Sequence, residues 1–283
     1  MPGSPAFGVS THLFHGQRLD RACVREIAAA GFGGIELFAT RTHFDYHSAP
    51  SIDDLRGWLA EAGLTLYSVH APVGERYDGV RWEGLFNLAS ADEERRRQAL
   101  DEALVALHVA RRLPFSTLVV HAGVPRPQQA PGSDSRDAAG RSIEALASAA
   151  APLGVRIAVE VIPNPLSAPA SLVHFIEDVL EAGSTGICLD FGHANLDGDV
   201  LDAIETVSEH LMAVHLHDNG GRTDEHLIPF EGTIDWPGAL TNLRKVGFDG
   251  PMVLEVARRG SVKDTLARAR AARTRMERFL AVL

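Results

Sequence analysis

The feature that most constrains the fold of this chain is the alternation of short β-branched runs with amphipathic helical stretches along its 283 residues. Short apolar runs bounded by turn residues are typical of buried strands, whereas a helical apolar period is typical of helices packed on one face. The predicted strands are Phe7–Ser10, Gly34–Phe38, Leu66–His70, Thr117–His121, Ile157–Val161, Gly186–Asp190, Met212–His217 and Met252–Val256. The predicted helices are Leu19–Ala30, Ile52–Ala62, Asp92–Leu113, Asp137–Ala151, Leu172–Ala182, Val200–Ser208, Pro237–Val246 and Val262–Leu283.

Eight βα units in succession predict a parallel sheet, because each helix returns the chain to the starting edge of the next strand. Right-handed crossovers then allow the eight strands to close on themselves. We therefore expect an α/β fold, a (β/α)8 TIM barrel that forms a single domain over residues 1–283. A doubly wound open sheet is the alternative, but it leaves two edge strands, and no G-x-G-x-x-G motif follows the first strand.

Glycines and prolines mark the connections between these elements. Four of the predicted helices end just before a glycine, which is typical of a left-handed C-cap followed by a tight loop. These glycines are Gly31, Gly63, Gly183 and Gly247. The segment Val124–Ser135 contains three prolines, and we interpret it as a βα loop on the face that carries the site.

Composition and charge indicate which binding partners and which cellular compartment to expect. The net charge of −10 argues against a nucleic-acid partner, because duplex binding depends on lysine and arginine contacts with phosphates. No apolar run approaches the roughly 18 residues of a membrane span, and the first residues have no signal-peptide pattern. The two cysteines, Cys23 and Cys188, fall in predicted buried positions, which fits a reducing compartment. We therefore expect a cytoplasmic protein without a membrane partner, and we leave a homo-oligomer open.

Acidic residues and histidines stand where the predicted strands end. In a parallel barrel these positions line the C-terminal mouth, where the active sites of TIM barrels lie. The residues are Glu36, His70, His121, Glu160, Asp190, His215 and Glu255. Such a group of side chains carries a large desolvation cost unless a cation lies among them, so the pattern predicts a divalent metal. The mixed imidazole and carboxylate set favours Zn, Mn or Co, with Mg as a further alternative.

Two neighbouring motifs add further candidate ligands. His193 follows Asp190 by three residues, and the segment after the seventh strand carries Asp224 and His226. His217 shares a strand face with His215, and we treat it as an uncertain supporting residue. Four histidines fall in predicted mouth loops and are interpreted as loop or substrate contacts, and three lie on predicted helices and are given no function. The first four are His12, His15, His43 and His47, and the other three are His108, His174 and His210.

Several short motifs, taken in their order along the chain, resemble those of one superfamily. They are Val69-His-Ala-Pro72, Val120-His-Ala-Gly123, Leu189-Asp-Phe-Gly-His193, Val214-His-Leu-His-Asp218 and Glu231-Gly-Thr-Ile-Asp235. Together with the strand-end Glu255 they are similar to the xylose-isomerase-like TIM-barrel superfamily. This superfamily contains sugar and sugar-phosphate isomerases and epimerases, and also the zinc-dependent apurinic endonucleases of the endonuclease IV type.

The resemblance implies a ligand set for each branch of the superfamily. In both branches one metal is held by the residues that match Glu160, Asp190, His215 and Glu255. The endonuclease branch adds two zinc ions. One would be held by His70 and His121 with Glu160 as a bridge, and the other by His193, Asp224 and His226.

Three functions remain open from these residues, and the third is lyase or dehydration chemistry on a modified sugar, which begins with the same enolisation as the first. The first is a divalent-metal sugar or sugar-phosphate isomerase or epimerase in which Glu160 and Glu255 transfer the proton. In this reading Glu36, His193, Arg222 and Arg76 contact the substrate, which is a small sugar. The second is a multinuclear zinc phosphodiesterase similar to an apurinic endonuclease. We favour the first for two reasons. The predicted mouth loops are acidic, with Asp197, Asp199, Asp218, Asp224, Glu225, Glu231 and Asp235. The segments Leu37–Tyr46, His217–Asn219 and Glu231–Trp236 are also similar to those of proteins grouped as sugar phosphate isomerase/epimerases.

Overall fold

Eight parallel strands close into a barrel in the computed structural model, which describes residues 6–77, 82–130, 132–179 and 185–282. Each strand pairs with its neighbours in chain order, and the last strand pairs with the first. The predicted (β/α)8 barrel is therefore confirmed. Within the described residues, no helix is both long enough and apolar enough to cross a bilayer.

The barrel strands are short, and most of their residues are buried. They are β1 (Phe7–Ser10), β2 (Gly34–Phe38), β3 (Thr65–His70), β4 (Thr117–Val120), β5 (Arg156–Glu160), β6 (Thr185–Asp190), β7 (Leu211–Leu216) and β8 (Met252–Leu254). Near-continuous apolar runs suit strands that are covered on both faces. Four strands end one or two residues earlier than predicted, so His121, Val161, His217 and Glu255 lie just beyond them.

Helices surround the barrel. They are α1 (Arg21–Ala29), α2 (Ala49–Ala62), α3 (Glu93–Leu107), α4 (Arg136–Ala150), α5 (Pro169–Val179), α6 (Phe191–Asp197), α7 (Val200–Val207), α8 (Trp236–Lys245) and α9 (Val262–Val282). The helix predicted to run to Leu113 ends earlier, because its last turn tightens into a 3₁₀ helix over His108–Arg111. The last predicted residues of two helices, Leu180–Ala182 and Leu283, lie outside the described residues.

The predicted glycine caps can be compared with the backbone. Gly31, Gly63 and Gly247 have φ angles of 80°, 67° and 78°, as a left-handed cap requires. Gly183 lies outside the described residues. These caps turn the chain quickly into the next strand, so each strand begins at the same end of the barrel.

Two elements at the mouth were not predicted. Helix α6 starts directly after β6, and the Asp190 carboxylate caps it by accepting a hydrogen bond from the His193 amide at 2.7 Å. A two-stranded antiparallel hairpin, formed by Gly74–Tyr77 and Trp82–Leu85, lies between β3 and α3. Both elements place side chains next to the strand ends described below.

Candidate active site

The strand-end residues meet at the C-terminal mouth of the barrel. His70, Glu160 and Asp190 are the last residues of β3, β5 and β6. Asp190 pairs in register with His215 of β7, so their side chains stand side by side. Because all eight strands run in the same direction, residues far apart in sequence converge here.

Four of these side chains form what we call the central ligand group: Glu160, Asp190, His215 and Glu255. One ligand atom from each lies within 4.8 Å of the others, and all four residues are buried. The Nδ1 atom of His215 lies 2.8 Å from Glu255 Oε2 and 3.4 Å from Glu160 Oε1. Three carboxylates and one imidazole thus point to a shared volume.

The hydrogen bonding of this group tests whether it fits a metal. Asp190 Oδ2 is buried and makes no hydrogen bond within the described part of the chain, and Glu255 Oε2, although 2.8 Å from His215 Nδ1, is not aligned with it for a hydrogen bond. A buried carboxylate oxygen without a partner is costly. A divalent cation would satisfy both oxygens, and the mixed O and N donor set suits Mn, Zn, Co or Mg. The residues therefore fit the predicted metal.

A second cluster, the histidine-pair group, consists of His70, His121 and Glu160. The Nε2 atoms of the two histidines lie 2.9 Å and 3.2 Å from Glu160 Oε2. The Nδ1 atom of His70 donates a hydrogen bond to the Ala71 carbonyl at 2.7 Å, which orients the ring toward Glu160. Glu160 therefore belongs to both groups.

A third cluster, the outer ligand group, consists of His193, His217, Asp224 and His226. Asp224 Oδ2 lies 3.2 Å from the Nε2 atoms of His193 and His226. His217, treated above only as a supporting residue, is fully buried, and its Nε2 lies 2.9 Å from Asp190 Oδ1. The three groups thus contain every ligand that the family resemblance implied and add His217, and His12 forms a further candidate group with His226 and Glu255.

Helix α6 approaches His217 so closely that it has a glycine at the contact. A Cβ atom at Gly192 would lie 1.8 Å from Cε1 and 2.2 Å from Nδ1 of His217. We expect Gly192→Ala to lower the free energy of unfolding by about 1–3 kcal/mol, because the imidazole must move within a packed region.

Urea unfolding measures this effect, and Gly57→Ala is the matched control. Gly57 is also helical, but it is exposed, and a Cβ there meets no atom within 4 Å. That substitution should be neutral or stabilising by about 0.5–1 kcal/mol. Equal effects of the two substitutions would contradict the close packing of α6 against His217.

The carboxylates at this mouth perturb the histidines. Burial lowers the pKa of His215, but Cys188 and the nearby carboxylates of Glu36 and Glu255 raise it well above its ordinary value. Burial likewise lowers the pKa of His226, and Asp224 raises it to about 10. The carboxylates of the site are therefore stabilised by positive charge, either from protons on the imidazoles or from a metal cation.

Only some of the residues expected to contact the substrate line the cavity. His193 and Arg222 line the cavity above the ligand groups. Glu36 does not, because its carboxylate lies behind His215, at 3.0 Å from Nε2, and accepts a hydrogen bond from Ser68 at 2.8 Å. Arg76 pairs with Glu83 across the hairpin and is not among the described residues that line the cavity. Glu36 and Arg76 therefore depart from the expected positions.

The remaining histidines divide in a similar way. Among the four assigned to mouth loops, only His12 lines the cavity within the described residues, and its ring stacks on that of His226 at 4.7 Å. Burial lowers the pKa of His12 to about 3, so this ring is neutral. His15 and His43 are buried beside it, whereas His47 pairs with Glu102 at the surface.

The acidic mouth expected from the sequence is only partly formed by the described loops. Asp197 and Asp224 line the cavity, but Asp197 pairs with Arg126 and Asp224 belongs to the outer ligand group. Asp218 is fully buried and hydrogen-bonded, Asp199 and Asp235 cap α7 and α8, and Glu231 pairs with Arg268. The acidic loops therefore support a sugar enzyme over a hydrolase less strongly than expected from the sequence.

A cavity of about 510 Å³ opens above the three groups. Glu160 and Glu255 both line it, as do His70, His121 and His193. The proline-containing loop after β4 contributes Val124, Pro125 and Pro127, as predicted for a βα loop on this face, although Pro131 lies outside the described residues. A ligand in this cavity would touch the groups that can hold a metal.

Comparison with known proteins agrees with this architecture. Residues 24–281 match the family described as xylose isomerase-like TIM barrel, and the chain belongs to that family. The resemblance inferred from the motifs is confirmed. An uncharacterized protein of Methanocaldococcus jannaschii is 28% identical over 257 residues, which cover 88% of this chain and 83% of that protein.

Solved structures extend the comparison. A D-tagatose 3-epimerase-like protein superimposes with a TM-score of 0.79 at 26% identity, over 98% of this chain and 97% of that chain. A D-psicose 3-epimerase of Clostridium cellulolyticum H10, solved with D-tagatose, gives a TM-score of 0.77 at 19% identity. That match covers 97% of this chain and 99% of the other, and at this identity it establishes the shared fold.

Proposed function

We propose that this chain is a divalent-metal-dependent isomerase or epimerase of a sugar or sugar phosphate. The observation that carries the proposal is the central ligand group, in which two buried glutamates, Glu160 and Glu255, flank His215 and both reach the cavity. The family, and the similarity to a D-tagatose 3-epimerase-like protein, support the same class of reaction.

The roles of the residues follow from their positions. A bound divalent metal would hold adjacent oxygens of a keto- or hydroxy-sugar and acidify the carbon between them. Glu160 would remove the proton from that carbon, and Glu255 would return one, on the opposite face for epimerisation. Glu36 holds His215 in position, and His193 would donate to a substrate hydroxyl.

Solvent isotope exchange tests this proposal directly. The protein, loaded with Mn²⁺, is incubated in D₂O with a panel of ketoses, ketose phosphates and keto-glycosides, and deuterium in the sugars is measured by mass spectrometry. We expect deuterium at the carbon next to the carbonyl of at least one sugar. Loaded protein that exchanges no proton in any member of the panel would contradict the proposal.

A second candidate function is hydrolysis of a phosphoric ester by clustered zinc ions. The specific observation that favours it is the pair of further ligand groups beside the central one, with Glu160 shared between two of the three. Clustered metals generate hydroxide and stabilise a departing oxygen. Elemental analysis of protein purified without chelators separates the candidates. About one metal per chain favours the isomerase, whereas two or three zinc ions favour hydrolysis, tested next on abasic DNA and simple phosphodiesters.

The proposal also concerns the binding partners and the cellular compartment of the protein. The substrate is a small molecule held in the cavity, and neither a nucleic acid nor a membrane is invoked. Both cysteines are free thiols in buried positions, which supports a reducing compartment such as the cytoplasm.

A further inference from the structure

The lining of the cavity contains three aromatic rings that the proposed proton transfer does not use. They belong to Phe38 at the end of β2, Trp82 in the hairpin and Phe86 just after it, and we call them the aromatic wall. The rings of Trp82 and Phe38 are nearly parallel, with centroids 5.7 Å apart at 15°. Phe38 in turn stacks on His70 at 4.1 Å and 11°, so the wall runs directly into the histidine-pair group.

The hairpin adds an apolar side chain at the rim of this wall. Leu85 lines the cavity and is 36% exposed, and Val282 is the only other exposed large hydrophobic residue within the described ranges. Phe38, by contrast, is buried at 4% exposure. The outer part of the wall therefore presents apolar surface to whatever fills the cavity.

Four further apolar residues line the same cavity: Val124, Pro125, Pro127 and Leu196. Arg126, which lies among them in the chain, is held by Asp197 through two hydrogen bonds of 2.6 and 3.0 Å, so its charge is matched within the protein. The other arginine of the lining, Arg222, belongs to the segment that carries the outer ligand group. The apolar part of the lining therefore favours an apolar group over an anion.

The size and chemistry of the cavity together indicate the kind of substrate. A cavity of about 510 Å³ lies in the range that holds drug-sized ligands, which is more than one sugar ring requires. Sugar hydroxyls match the carboxylates and imidazoles of the ligand groups, but they would lose hydrogen bonds against the apolar part of the lining. A planar apolar substituent gains from stacking on an aromatic ring.

We propose that the substrate is a glycoside whose sugar ring carries a keto group and lies over the central ligand group, and whose apolar, aromatic substituent lies against the aromatic wall. This inference rests on the proposed function and specifies its substrate class. Trp82 is then a specificity-determining residue that contacts the substituent and not the reacting carbon.

Binding to the metal-loaded protein tests the inference without turnover. Titration calorimetry compares phenyl and methyl glycosides of glucose, galactose and xylose, in both anomeric forms. We expect at least one phenyl glycoside to bind about 10-fold more tightly than its methyl counterpart, because only the phenyl ring reaches the wall. Trp82→Ala should remove this preference, and Trp82→Phe should retain most of it.

Matched controls make the result interpretable. Val282→Ala removes the other exposed apolar side chain, on α9, and should leave the phenyl preference unchanged. Equal affinity for the two types of glycoside, binding of neither, or equal weakening of both by Trp82→Ala would overturn the inference. Tighter binding of glucose 6-phosphate that depends on Arg222 would also overturn it, in favour of a phosphorylated sugar.

The two proposals fail in different ways. A phenyl preference without deuterium exchange would leave the aromatic wall in place and reject the isomerase. Deuterium exchange into free sugars without a phenyl preference would support the isomerase and reject the aromatic wall as the site of an aromatic substituent.

Discussion

Replacing Glu160 by glutamine should lower the rate of solvent-deuterium incorporation about 10²–10⁴-fold, the usual contribution of a general base. The glutamine retains the shape of the side chain, but it cannot accept the proton and has no negative charge. Since Glu160 belongs to both the central group and the histidine-pair group, its loss should also reduce the metal content. Isotope exchange and elemental analysis on the same preparation measure the two effects.

Two further variants separate the roles of Glu160. Glu255→Gln should stop epimerisation, but it leaves the histidine-pair group intact, so any metal held there should remain. Glu61→Gln is the surface control, because Glu61 is half-exposed and pairs with Arg21 far from the mouth. A Glu160→Gln protein that exchanges at the full rate with its metal bound would show that Glu160 is not the base.

Replacing Asp218 by alanine should lower the free energy of unfolding by about 3 kcal/mol or more, because several buried donors lose their acceptor at once. The carboxylate is fully buried. It accepts hydrogen bonds from the amides of Asn219, Phe230 and Ile234 at 2.9, 3.0 and 3.3 Å, and from the indole Nε1 of Trp236 at 2.7 Å. One side chain thus holds the whole segment between β7 and α8.

Asp235→Ala is the matched control for Asp218→Ala. Asp235 lies in the same segment, but it only caps α8, so its loss should cost about 1 kcal/mol. Urea unfolding of both variants gives the comparison. A cost for Asp218→Ala no larger than that of the cap variant would mean that the segment is held by other contacts.

The strand ends could be predicted because the signal there is local. An apolar run that ends in one polar residue, as at His70, Glu160 or Asp190, places that residue at the mouth of any parallel barrel. Closure of the barrel then brings these residues together. Their division into ligand groups, and the inclusion of Asp224 and His226 from the loop after β7, depend on the resemblance to the superfamily.

Other features depend on distant contacts and carried no such signal. Helix α6 has seven residues, too few to show a helical period. Glu36 lies behind His215 in a strand whose pairing with β3 shifts register between Ile35 and Glu36, which sequence spacing does not reveal. The partners of Asp218 lie up to 18 residues away, so a fully satisfied buried carboxylate was interpreted as part of an acidic surface.

The ligand groups and the aromatic wall come from different segments of the chain, and this has an evolutionary consequence. The groups that can hold a metal come from the barrel strands and the segments that directly follow them, whereas much of the aromatic wall comes from the hairpin between β3 and α3. Insertions and substitutions in a surface hairpin are tolerated far better than changes at a barrel strand. Descendants of one ancestral barrel can therefore acquire new substrates by remodelling this hairpin while they inherit the same reaction chemistry.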